Sequence, residues 1–120
     1  MEQELDQLLS GKEGILGMAL VSRDGIPVLS RFTRQFDQKA FSILVESAMV
    51  ATLAGAAEEA MEELEGGSVK RVIVEAGEVR LVVAPASADL LLLAVTEPAY
   101  PMDQLDETMG QAREGIVAAI

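Results

Sequence analysis

Apolar positions recur along this chain with two different periods, and the switches between them divide it into elements. Residues 1–10 carry Leu5, Leu8 and Leu9 at helical spacing, and Gly11 follows as a stop. Residues 15–22 are then almost continuously apolar, which predicts a strand, and residues 26–30 predict a second. Between them stands Arg23-Asp24-Gly25. An Asp-Gly pair between two apolar runs predicts a hairpin with a type I′ turn, whose two central residues both need positive φ. Pro27 has no N–H to give a ladder, so the second strand belongs at a sheet edge. Farther on, residues 69–75 and 79–84 read as strands joined at Ala76-Gly77-Glu78, and Pro85 reads as the stop. Residues 89–96 form an almost continuously apolar run, the mark of a strand buried on both faces and hence central. Residues 102–120 return to helical spacing through Met102, Leu105, Met109, Ala112, Ile116 and Ala119. Gly110 and Gly115 each weaken that helix by about 1 kcal/mol relative to alanine.

The longest predicted element is a single helix over residues 37–65, capped by Asp37 and stopped by Gly66-Gly67. At 100° per residue it shows two apolar stripes. Phe41, Leu44, Val45, Ala48, Thr52 and Ala56 form one; Ile43, Val50, Ala54, Ala57 and Met61 form another on the opposite side. Glu46 is the sole charge between Lys39 and Ala57. A helix sandwiched inside one domain would explain both stripes, but a chain this short offers little to cover both. The expectation is therefore that the first stripe lies on the protein's own sheet and the second on a partner. The order helix, hairpin, long helix, three strands, helix predicts an α+β domain spanning residues 1–120, with a five-stranded antiparallel sheet.

Composition narrows the chemistry. Half of the 120 residues are apolar but only 3% are aromatic, so the core is aliphatic. The net charge of −11 opposes nucleic acid or anionic membrane as the main partner. No run reaches the roughly 18 apolar residues of a membrane span, and the acidic start is unlike a signal peptide, which points to a cytoplasmic protein. Histidine and cysteine are both absent. Triads with histidine, cysteine nucleophiles, disulfides and the usual zinc sites are thereby excluded, and no phosphate-binding glycine loop occurs. No enzyme activity, metal or cofactor is expected. Asp24 reads as a turn residue, and Glu58, Glu59, Glu62 and Glu63 as a solvated helix end. Against the acidic background Arg23, Arg31, Arg34 and Lys39 form a local basic stretch, either solvated surface or a patch for an acidic partner.

The hairpin sequence Glu13-Gly14-Ile15 through Asp24-Gly25 to Ser30, the alanine-rich helix and the element order together resemble the Roadblock/LC7 domain family. The similarity is greatest to its prokaryotic, MglB-like members, and it covers essentially the whole chain. The resemblance implies a profilin-like sheet ordered 2-1-5-4-3. It also implies a homodimer in which long helices pack together and third strands pair edge to edge. On that basis Ile43, Val50, Ala54, Ala57 and Met61, with Val69, Arg71 and Ile73, are the expected dimer interface. The implied partner is a small Ras-like GTPase that the dimer binds and regulates. The alternative is a structural dimerisation scaffold in a signalling or motility complex. A ligand-sensing domain is a third option, opposed by the aliphatic filling.

Overall fold

The computed structural model describes residues 2–33, 37–46 and 48–119. A helix α1 (Glu2–Leu9) leads into the hairpin β1 (Ile15–Ser22) and β2 (Pro27–Phe32). Two helices follow, α2 (Gln38–Glu46) and α3 (Met49–Glu63). Then come β3 (Val72–Glu75), β4 (Arg80–Pro85), β5 (Leu90–Thr96), α4 (Met102–Gly115) and a 3₁₀ turn at Val117–Ala119. The strands form one antiparallel sheet in the order β2-β1-β5-β4-β3. The expected α+β class and strand order hold.

The hairpin closes differently from expectation. Gly25 N–H donates to the Ser22 carbonyl at 3.0 Å, and Ser22 N–H to that of Ile26 at 2.8 Å. Only Gly25, with φ of 87°, lies in the left-handed region, so Asp24 is not half of a type I′ pair. The loop is three residues long, a type I turn completed by a left-handed glycine. Its extra residue agrees with the register shift at Leu20/Val21.

Each sheet face has its own core, because side chains alternate along every strand. Ile15, Met18, Leu20, Val82, Leu92 and Ala94 meet α1 and α4 through Leu5, Leu105, Met109 and Ala112. On the other face Leu16, Ala19, Val21, Val83, Leu91, Leu93 and Val95 meet α2 and α3. Gly17 permits the closest approach there: a Cβ on it would lie 2.7 Å from the Phe41 ring, which also tilts against Phe32 at 6.0 Å.

The expected single helix over residues 37–65 is two helices bent by 52°. Asp37 caps the first as expected, its Oδ1 accepting from Lys39 N–H at 3.0 Å and Ala40 N–H at 3.3 Å. At the bend Ala48 is left-handed, with φ of 62°. The hairpin turn sits against it, since a Cβ on Gly25 would fall 2.6 Å from the Ala48 Cβ. The stop of α3 also moves by one or two residues. Glu65 takes the left-handed position (φ 52°), Gly66 N–H donates to the Met61 carbonyl at 2.8 Å and Glu65 N–H to that of Glu62 at 3.1 Å. This is a Schellman motif with glutamate where glycine is usual.

Candidate interaction surface

The bend decides which side of α3 is covered. Losing helical geometry between Glu46 and Met49 shifts the phase of the pattern, so the two predicted stripes exchange roles beyond it. Phe41 and Val45 are buried on the sheet as expected, yet Thr52 and Ala56 from the same stripe are exposed. Val50 and Ala54, expected at a dimer interface, are instead 2% and 5% exposed and pack on the chain's own sheet, which corrects their assignment. Ala57 and Met61 are half-buried, and Ile43 alone of the predicted stripe stands well out, at 52%.

The uncovered side of α3 carries a row of small or apolar residues, Met49, Thr52, Gly55, Ala56 and Ala60, and toward its end the exposed acids Glu59, Glu62 and Glu63. Next to it α3 packs over β3, which has β4 on one side and no strand on the other. Register sets its side chains. Val74 lies opposite Leu81 and so on the α3 face, whereas Ile73, opposite the buried Val82, is on the α4 face. Both remain substantially exposed, at 43% and 39%. The predicted pairing edge, residues 69–75, is shorter in the sheet. Val69 and Arg71 precede the paired part, and Arg71 Nη1 binds both carboxylate oxygens of Asp106 on α4 at 2.6 Å.

Among the described members of the predicted basic patch, Arg23 and Arg31 point apart. Arg23 reaches Glu58 on α3 at 2.6 Å. Arg31 points to the opposite face of the sheet, where Glu2 and Asp6 of α1 hold it at 2.5 and 2.9 Å. The hydrogen bond from Arg31 draws the Glu2 carboxyl below its ordinary value, with the positive charge as a further cause, and Glu2 in turn raises Arg31. Lys39 is exposed, and Arg34 lies outside the described residues. The basic residues that do converge are Lys70, Arg71 and Arg113, around a groove beside α4. Sequence reading missed them because strand, turn and helix separate them along the chain.

Behind that groove's strand, Arg80 is 4% exposed, and its Nη2 donates to the Tyr100 carbonyl at 2.6 Å. It fixes the connection from β5 to α4, while its Nε is buried without a partner. Among the described residues no group of carboxylates is arranged to hold a metal ion. No single described helix is long and apolar enough to cross a membrane.

What this arrangement offers is a sheet edge and a helix face rather than a reacting centre. The Roadblock/LC7 domain model matches residues 1–96, from α1 through β5. The chain belongs to the Roadblock/LC7 domain family. It is similar in fold to a Roadblock/LC7 domain from Streptomyces avermitilis, with a TM-score of 0.85 at 18% identity, over 99% of this chain and 96% of that one. An MglB with tetrameric arrangement gives 0.79 at 18% identity, covering 95% and 82%. The gliding protein MglB from Thermus thermophilus gives 0.76 at 18%, covering 93% and 82%. No curated protein sequence matches the chain.

Proposed function

We propose that two copies of this chain pair through the outer side of α3 and the open edge of β3, and that the pair docks and regulates a small Ras-like GTPase in the cytoplasm. One observation carries the pairing. In a chain of net charge −11, Met49 on α3 and Val74 on the α3 face of the edge strand β3 are left exposed, with Ile73 exposed on the other face of the same edge. Small residues on α3 allow a second helix to come close, and an unpaired strand offers backbone donors and acceptors to its twin. A two-fold contact of this kind is the commonest closed assembly. Family membership and the likeness to MglB folds support the GTPase as client. The exposed row revises the interface: Met49, Thr52 and Ala56 replace Val50 and Ala54, while Ile43 and Ile73 stay.

Two measurements test this reading. Ala56→Glu puts a carboxylate in the middle of the exposed row, so light scattering after size exclusion should show a monomer whose melting curve remains cooperative. A dimer of unchanged mass would remove α3 from the interface. The wild-type protein, immobilised and offered Ras-like GTPases from its own source, should retain one in a manner that depends on GTP or GDP. Retention indifferent to nucleotide would make it a scaffold, and no retention would remove the client.

A further inference from the structure

The geometry points to a second docking surface, on the opposite face of the sheet, that takes an acidic, aliphatic segment of a partner protein. A groove of about 430 Å³ runs between α4 and the start of β3. It exists because β3 is short. Ladder pairing with β4 begins at Val72 opposite Val83, so Ala84 and Pro85 have no strand partner on that side. Val69 and Pro85, both half-buried, give the groove its apolar floor over the fully buried Val82, Ala84 and Met109.

The rim is cationic. Lys70, Arg71 and Arg113 face a single carboxylate, Asp106, which Arg71 already occupies. Among the described residues Lys70 and Arg113 form no ion pair. The chain has 20 acidic residues and 9 basic ones, and it spends acids on Arg23, Arg31 and Arg71. Leaving two rim cations uncompensated fits an anion supplied from outside.

The floor chooses among anions. Inorganic phosphate would have no use for Val69 and Pro85. A bilayer cannot enter a concave groove. A peptide that alternates acidic and aliphatic side chains satisfies rim and floor together. A third of the lining residues, Asp106, Met109 and Arg113, come from α4, which lies beyond the family-matched residues. The inference is independent of pairing along β3 and of any GTPase.

The test is fluorescence anisotropy on the full chain with three probes: a labelled peptide alternating glutamate and leucine, labelled oligoglutamate, and phosphatidylserine vesicles. The alternating peptide should bind at about micromolar concentration, weaken as salt is raised, and move the amide signals of Lys70, Met109 and Arg113. Lys70→Glu with Arg113→Glu should weaken it at least about tenfold, while Lys39→Glu leaves it unchanged. Lys70→Gln with Arg113→Gln, which adds no negative charge, should give a smaller loss. No binding at about millimolar peptide, equal affinity for oligoglutamate, or preference for vesicles would each overturn the proposal. So would a change of assembly mass in the variants, which would make a second copy the occupant.

Discussion

The two outermost strands of the sheet are built on opposite plans. β2 carries several devices that discourage another strand from joining it. Pro27 lacks an N–H, a bulge at Leu20/Val21 disturbs the local register, and Arg31 ties the strand to α1 through Glu2 and Asp6. β3 has no proline or bulge, and Glu75 is the only charge within it. Ile73 and Val74 are left in the open. Edge strands invite pairing, so on the pairing proposed above a protein that guards one edge and bares the other directs its self-association to the bare one.

The strongest way to break that contrast is to charge β3. Ile73→Lys with Val74→Glu should raise the dimer dissociation constant by about a hundredfold or more, close to 3 kcal/mol, as read by sedimentation equilibrium. The matched change on the guarded edge, Val28→Lys, should leave that constant where it was, although Val28 is exposed to the same degree as Val74. If both edges responded alike, edge design would not govern assembly.

A second contrast lies in how the chain enters each edge. The turn into β2 uses Gly25 at its left-handed position, whereas the turn out of α3 toward β3 uses Glu65. A side chain there costs energy that glycine does not pay. Glu65→Gly should therefore stabilise the fold by about 0.5–1 kcal/mol, measured by urea denaturation. Destabilisation would mean that the Glu65 side chain holds something its backbone conformation conceals. A smaller effect is expected from Pro27→Thr, which restores a donor to β2: association should strengthen by severalfold at most, because α1 and the bulge remain in place.

The sheet was legible from sequence because its signals are local. Apolar runs, an Asp-Gly turn, Pro27 and a fully apolar β5 each name a strand and its place, and residues 15–22 were bounded to the residue. The cap at Asp37 was equally local. What failed needed the third dimension. The pattern over residues 37–65 is compatible with an unbroken helix, and nothing at Ala48 announces a bend. A left-handed alanine there is held by tertiary contact with Gly25, 23 positions earlier. Once the bend is missed, every position beyond it is assigned to the wrong side, which is how Ala54 and Ala56 came to trade places. The same limit hid the groove cations, since Lys70 and Arg113 meet only through the packing of α4 on the sheet. Conversely, Arg23 and Arg31 looked like parts of one patch only because they are near in sequence.

Acid offers the subtlest probe of the guarded edge. The Glu2 carboxyl lies below the ordinary glutamate value of 4.5, chiefly through its hydrogen bond from Arg31. A lowered folded-state pKa means that this contact favours the fold fully above the unfolded value and loses its effect as pH falls through the folded one. The window is therefore the acid side of 4.5. Arg31, shifted upward, stays charged throughout it. Both groups are exposed, so solvent and salt screen the contact and the change should be small. Wild-type protein should melt slightly above Glu2→Gln at about pH 6, and the two should converge at about pH 3. Raising salt at the higher pH should also narrow the gap. If acid loosens α1 in this way, β2 becomes the more accessible edge just when global charge is falling, and association through β2 should first be detectable there. A gap that persists at low pH would show instead that Glu2 acts other than through its charge, and no gap at either pH that α1 is held by Leu5, which is 2% exposed, rather than by its acids.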